Sequence, residues 1–267
     1  MYQVIVCDLD GTLLDTNYHI NEYTKKILKK VVMEKNIHLI IATGRNYIDA
    51  KKVLNEIGVS GFIISCNGSE IYNKEKNKIF NCYINEKTTY RLCKIAYLEK
   101  EITTQIYYNN KWYVQNYFVH NPKLQASFSM KRIGYKPIFF KNKPVNKVFF
   151  TSNNKNKLKK LEKQIHQELH SQIESFFSSN YCLEITEKLV TKGTALEFIS
   201  KKCLYIPLEK FMSFGDGMND KSMLSISGKS FIMKNADPIL KKKLPNIEII
   251  ESNKNNGVAV CIKRYFL

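Results

Sequence analysis

Four short runs, Val4-Ile5-Val6, Ile37 to Ala42, Phe62 to Ser65 and Phe211 to Phe214, are apolar at successive positions, and each stops at a cluster of Asp, Thr, Asn or Gly. Runs of this length that do not alternate with polar residues read as strands buried on both faces, the condition of a parallel sheet with helices on either side. Helical patterns lie between the first three. Asn21 is placed to cap a helix whose stripe is Ile27, Leu28, Val31 and Val32, and a second stripe of Tyr47, Ala50, Val53, Leu54 and Ile57 stops at Gly58. The β-α-β-α-β series predicts an α/β fold, a Rossmann-like doubly wound parallel sheet. Further along, a helix carrying Leu196, Ile199 and Cys203 leads into the run at Phe211, and Phe231 to Met233 and Ile247 to Ile250 extend the sheet.

The middle third has another texture. Ile71 to Tyr83 reads as a hairpin turning around Lys74 to Asn77. Helical patterning at Tyr90 to Leu98 then gives way to aromatic strands at Gln105 to Tyr108 and Trp112 to Val114. Val148 to Thr151 precedes a helix with Leu158, Leu161, Ile165 and Leu169 in one stripe, and Tyr181, Leu183 and Ile185 alternate with polar residues as in a half-buried strand. This pattern predicts an α+β domain inserted into the parallel one, dividing the chain into residues 1–83, 84–188 and 189–267. A chain of 267 residues suffices for two modest domains.

Composition narrows the class. No apolar segment approaches the roughly 20 residues that cross a bilayer, so no membrane partner is expected. A first strand at Val4 leaves no room for a secretory leader. Seven scattered cysteines without a C-x-x-C pair read as reduced thiols, which predicts a cytoplasmic protein. The formal charge of +18 raises the question of nucleic acid. The lysines, however, spread over the polar faces of most predicted helices and gather on no element with interleaved aromatics, which argues against a specific nucleic-acid site. His166 and His170 share an i, i+4 spacing but lack a third ligand, and they read as a surface helix face.

In an open parallel sheet, ligands bind beyond the carboxyl ends of the strands. That edge carries Asp8 and Asp10, then Thr43 and Gly44, then Asn67, then Asp216 with Asn219 and Asp220. If the backbone stays extended, Asp8 and Asp10 point the same way, and two carboxylates that close need a cation or a shared proton. A hard divalent ion such as Mg²⁺ fits, with Asp216 as a further carboxylate between two glycines. A calcium loop of the EF-hand kind also opens Asp-x-Asp, but Leu13 and His19 stand where it needs Gly and an acid. Thr43 and Gly44 suit phosphate oxygens, and Lys192 opens a helix with Gly193 behind it, another anion-friendly place. These residues together suit a phosphate group and a metal ion, and the positive surface would steer small phosphorylated metabolites inward.

The motifs Asp8-x-Asp10-Gly11-Thr12, Thr43-Gly44-Arg45, Lys192 and Gly215-Asp216-Gly217-x-Asn219-Asp220 resemble those of the haloacid dehalogenase superfamily. Their order, and the large insertion between the second and third, are similar to its Cof-type branch (subfamily IIB), in which the insertion is an α+β cap. The opening Met1-Tyr2-Gln3-Val4 and the run Lys147 to Thr151 resemble members acting on pyridoxal phosphate and sugar phosphates. The resemblance implies phosphatase activity, with Asp8 as nucleophile forming an aspartyl-phosphate and Asp10 as general acid, then base. It further implies Mg²⁺ held by Asp8, the Asp10 backbone carbonyl and Asp216. Phosphate would meet the Leu9 amide, Thr43, Gly44, Lys192 and Asn219, with Asn67 and Asp220 supporting. The insertion would act as a lid reading the rest of the substrate through aromatics such as Tyr107, Tyr108, Trp112 and Tyr113. A phosphosugar mutase with the same nucleophile, and a basic nucleic-acid-binding protein on an enzyme fold, are the alternatives.

Overall fold

A computed structural model describes residues 1–109, 111–115 and 128–267. The chain divides into two compact units, one of Met1–Phe80 with Thr191–Leu267 and one of Asn81–Val190. The first boundary falls at Asn81 because the Asn146 side-chain amide donates to Asn81 Oδ1 (2.6 Å) and to the Cys82 carbonyl (3.1 Å), tying this stretch to the second unit.

In the first unit the sheet order is β14-β13-β12-β1-β2-β3-β4-β5. Its centre is β1 (Val4–Cys7), which pairs in parallel with β2 (His38–Ala42) and β12 (Phe211–Gly215). On one side follow β3 (Phe62–Ser65) in parallel and β4 (Glu70–Tyr72) antiparallel to it, and then β5 (Lys78–Asn81). On the other, β13 (Lys229–Met233) and β14 (Glu248–Ile250) continue the parallel set. All four residues of β1 are fully buried, which is why the sequence there is apolar without alternation.

Helices α1 (Glu22–Glu34) and α2 (Tyr47–Ile57) link β1, β2 and β3. The Asn21 side chain accepts from the Tyr23 amide, and α2 ends at Gly58 with φ 74°, so both helices start and stop where their capping residues stand. From β1 the chain steps outward in one direction through β2 and β3, and from β12 in the other through β13 and β14. Right-handed crossovers therefore place α1 and α2 on the opposite face from the helix joining β12 to β13. The doubly wound arrangement matches the sequence expectation.

The second unit holds a sheet of order β10-β11-β9-β6-β7-β8, with β10 at Ile173–Ser179 and β8 at Arg132–Gly134 on its edges, and has its own hydrophobic cluster. Helices α3 (Glu86–Ile95) and α4 (Lys155–Leu169) belong to that cluster through Leu92, Leu158, Leu161 and Ile165, which join Ile106 of β6 (Thr103–Tyr108), Val148 and Phe150 of β9 (Lys147–Thr151), and Leu183 and Ile185 of β11 (Cys182–Glu187). Tyr113 of β7 (Lys111–Gln115) is core here, while its neighbour Trp112 points to the opposite face with Tyr107 and Phe149.

The expectation of a half-buried strand at Tyr181, Leu183 and Ile185 needs correction. Tyr181 lies before the strand and is exposed, and β11 buries both of its faces, Glu184 and Thr186 included. The reason is a partner on the adjacent strand: Lys147 Nζ stands 2.9 Å from the Glu184 carboxylate, both side chains being nearly inaccessible, and 4.7 Å from the centre of the Phe149 ring. Removing one member of a buried ion pair leaves the other charge poorly compensated at a cost of about 3 kcal/mol or more, whereas replacing both by apolar residues is often neutral. Glu184→Gln is therefore expected to lower the denaturation midpoint of this unit, and Lys147→Met with Glu184→Leu to recover most of the loss. Equal urea stability of Glu184→Gln and the parent would remove the pair from the account.

Candidate active site

The strand β1 ends at Cys7, and the chain turns before Asp10, which forms an isolated bridge with Leu14. Leu14 N and Thr12 N both donate to the Leu9 carbonyl, closing a tight loop. Gly11 sits in that loop with φ +84°, and a Cβ there would lie 2.2 Å from Asp216 Oδ2, so only glycine lets the loop approach the carboxylate. Because the backbone does not stay extended, the carboxylates of Asp8 and Asp10 take separate basic partners, which departs from the sequence expectation that they share one cation. Asp8 faces Lys192 and Asp10 faces Arg45.

Lys192 is the first residue of α5 (Lys192–Ile199), whose start is fixed by reciprocal contacts between Thr191 and Thr194. Its side chain is fully buried, and Nζ lies 2.6 Å from Asp8 Oδ1 and 2.6 Å from Asp220 Oδ1. Burial alone would push the ammonium towards neutrality, but Asp220 and Asp8 outweigh it and hold the Lys192 pKa above its ordinary value. An ammonium has three donors, so one N–H stays available to a further acceptor. Asp220 in turn takes the Asp216 and Gly217 amides on its other oxygen, both at 2.9 Å, which shapes the turn after β12.

Asp216 accepts from the Thr12 hydroxyl at 2.7 Å, joining the first loop to the last. Its backbone carbonyl takes the Asp237 amide, and the Asn235 side chain donates to the Gly11 carbonyl at 2.7 Å. Thr43 follows β2 and is buried, with its hydroxyl oxygen accepting from the Arg45 amide at 3.1 Å and its carbonyl accepting from the Asn67 amide. Asn67, in a left-handed conformation after β3, receives the Asn219 side-chain amide at 3.1 Å. Along the edge predicted from the sequence, hydrogen bonds join Asp8, Lys192, Asp220 and Asp216 in one group and Thr43, Asn67 and Asn219 in another, the two meeting at the adjacent residues Asn219 and Asp220. The Leu9 side chain is buried while its carbonyl closes the first loop.

Oxygen atoms of Asp8, Asp216 and Asp220 lie within 4.8 Å of one another. Burial, with repulsion from Asp220 and Asp10 against the pull of Lys192, pushes Asp8 up to about 8, and burial with repulsion from Asp8 and Asp220 raises Asp216 well above the usual carboxylate range. Among the described residues, Asp8 and Asp220 pair with Lys192 and Asp10 with Arg45, while Asp216 meets the Thr12 hydroxyl, so four carboxylates face two cations. A hard divalent cation with oxygen ligands fits this donor set and this deficit, and Gly11 provides the close approach beside Asp216. The acidic cluster includes Asp220, for which the sequence predicts a supporting place; it pairs with Lys192 and accepts the Asp216 and Gly217 amides.

Sequence reasoning missed the contacts of Thr12, Arg45 and Asn235. Thr12 and Arg45 were visible as members of the motifs, but nothing in their spacing says which carboxylate each would meet. Asn235 had no signal at all.

Residues 5–262 match the haloacid dehalogenase-like hydrolase family, and the chain belongs to it. A relative from Buchnera aphidicola subsp. Schizaphis graminum, described as "Putative phosphatase", is 43% identical over 267 residues, covering 100% of this chain and 97% of its own. An HMP-PP phosphatase of Yersinia pseudotuberculosis is 29% identical over 97% of this chain and 93% of its own. Among solved structures, a haloacid dehalogenase-like hydrolase from Bacteroides thetaiotaomicron is 27% identical, covers 100% of both chains and superposes with a TM-score of 0.83. The chain is a hydrolase with the α/β fold of that family.

Gly11→Ala puts a methyl group against Asp216 at a positive φ, and the strain alone costs about 1–2 kcal/mol. The variant is expected to unfold at lower urea concentration than the parent. A parental midpoint would show that the loop does not approach Asp216 this closely.

Proposed function

We propose that this hydrolase is a Mg²⁺-dependent phosphatase acting on small phosphate monoesters through an aspartyl-phosphate on Asp8. The observation that carries the reading is Asp8 itself: a buried carboxylate at a strand end, 2.6 Å from a buried ammonium and beside a second and third carboxylate that call for a cation. Phosphoryl transfer depends mainly on positioning the groups and on neutralising oxygen charge, and this edge supplies both.

In the proposed reaction an Asp8 oxygen attacks phosphorus as the ester P–O bond breaks, and Asp10 gives its proton to the departing alkoxide. Asp10 then accepts a proton from water, whose oxygen attacks phosphorus, and the bond from phosphorus to Asp8 breaks to release inorganic phosphate and restore both carboxyl groups. Mg²⁺, held by Asp8, the Asp10 backbone carbonyl and Asp216, would neutralise phosphoryl oxygen charge. Lys192 uses its third N–H on a phosphoryl oxygen, the Leu9 and Gly44 amides and the Thr43 hydroxyl bind the others, and Asn219 completes the cradle. Asn67 and Asp220 hold Asn219 and Lys192 in place.

Pyridoxal phosphate and hexose phosphates are the first substrate candidates, and the name of the Yersinia relative adds HMP-PP to them. Phosphate release is measured across pyridoxal phosphate, hexose phosphates, nucleotides and HMP-PP, with Mg²⁺ or with chelator, for the parent and Asp8→Asn. Chelator-sensitive release is expected for at least one compound, with Asp8→Asn reduced by about 10³-fold or more. Asp8→Asn at near-parental rates would remove Asp8 as nucleophile, and an isomerised phosphosugar without free phosphate would replace the phosphatase with a mutase.

A further inference from the structure

Arg45 belongs to no role derived so far, yet it makes the most constrained contact with Asp10. Its guanidinium grips that carboxylate with both arms, Nε on Oδ2 at 2.7 Å and Nη2 on Oδ1 at 2.6 Å. A planar fork meeting a planar carboxylate fixes both side-chain torsions of the aspartate, which a single contact would not do. Arg45 is itself anchored. Its amide donates to the Thr43 hydroxyl oxygen at 3.1 Å, its carbonyl accepts from the Cys66 amide at 2.9 Å, and its side chain is 5% exposed. The guanidinium also lies 5.9 Å from the Tyr18 ring centre. Asp10, by contrast, leaves 35% of its side chain exposed and sits in a loop beyond the end of β1. Without a clamp, such a short side chain at a half-open loop would sample several rotamers.

We infer that Arg45 is the positioning residue for Asp10, aiming its carboxyl group at the leaving oxygen and, in the second half of the reaction, at the attacking water. The inference rests on the phosphatase reading above. Carrying a proton on one oxygen opens one of the two contacts while the other keeps the carboxyl group in register, and giving the proton up restores both. Bidentate grip therefore suits a group that has to pass a proton outward and take one back without changing place. Lysine, a single point charge, would hold one oxygen and leave the plane free to turn.

The test separates aiming from phosphate binding through the leaving group. A 4-nitrophenolate departs without protonation, whereas an alkoxide needs the proton from Asp10. The ratio kcat/KM covers only the steps up to departure of the leaving group. Values of kcat/KM are measured for 4-nitrophenyl phosphate and for an alkyl phosphate the parent accepts, with the parent, Arg45→Lys, Arg45→Gln and Asp8→Asn, together with inhibition by inorganic phosphate. Positioned general acids contribute about 10²–10⁴-fold. Arg45→Gln is expected to lose about 10²-fold on the alkyl ester and only several-fold on the nitrophenyl ester, with Arg45→Lys between parent and Gln and phosphate inhibition unchanged. Thermal unfolding of both variants checks that the buried site survives, and Arg45→Lys, which keeps the charge and most of the volume, serves if Arg45→Gln does not fold. Equal losses on the two esters, or weakened phosphate inhibition in step with kcat/KM, would overturn the inference and make Arg45 a phosphate ligand or a structural residue. A parent that hydrolyses neither ester, or an Asp8→Asn variant as active as the parent, would instead overturn the phosphatase reading and this inference with it.

Discussion

The site depends on one buried ammonium. Lys192 is held between Asp8, 184 residues earlier in the chain, and Asp220, 28 residues later. A charge with no access to water costs several kcal/mol unless it is paired, so the end of the first strand, the start of α5 and the turn after β12 have to meet at one point or the fold loses more than it gains. That constraint also fixes where the chain re-enters the first unit after the insertion. Thr191, just before the lysine, lies against Gly68, where a Cβ would come within 2.3 Å of the Thr191 carbonyl oxygen, so the turn after β3 accepts the returning strand only because it offers bare backbone. Connectivity and chemistry are secured by the same few contacts.

Local and global charge have opposite signs. The whole chain carries +18, while the described residues of the site hold four carboxylates against two cations. Dispersed surface lysines act beyond about 8–10 Å only weakly at physiological salt, so they do not offset the deficit inside. They do raise the local concentration of anions near the surface, which for a phosphorylated substrate is a rate effect. The deficit inside is what a divalent cation would cancel. The raised pKa values of Asp8 and Asp216 express the same deficit in protons, since a buried carboxylate lacking a counter-charge binds a proton instead.

Strand ends and helix caps were legible because they are written locally. Apolar runs stop at Asp, Thr or Gly, Asn21 and Gly58 cap the helices they flank, and the motif residues lie at those stops, which the sheet rule brings to one edge. Partnership was not legible. Nothing within ten residues of Arg45 says that it grips Asp10 and not Asp8, or that Thr12 reaches Asp216 across 204 positions. The same limit produced the error at β11: Glu184 reads as a solvent-facing residue in an alternating strand, and only the neighbouring β9 supplies the lysine that lets it be buried. Local pattern reports how a residue type usually behaves, and a buried charge behaves unusually because of something distant in sequence.

Asp8 and Asp10 differ by two positions and by almost everything else. The first closes a buried strand, is 7% exposed and faces an inaccessible ammonium, whereas the second follows a turn, is 35% exposed and faces an arginine anchored to another loop. The difference originates in the backbone leaving the strand at Cys7. Had the strand continued, the two carboxylates would have shared one environment and, as like charges at close range, one of them would have stayed protonated. The break separates them, so that one is shielded beside a buried ammonium while the other keeps contact with solvent, the asymmetry that the proposed phosphoryl transfer would use. Pairs of titratable groups pushed into different environments are how a single edge performs attack and proton transfer in turn. Here the end of the strand at Cys7 creates that asymmetry.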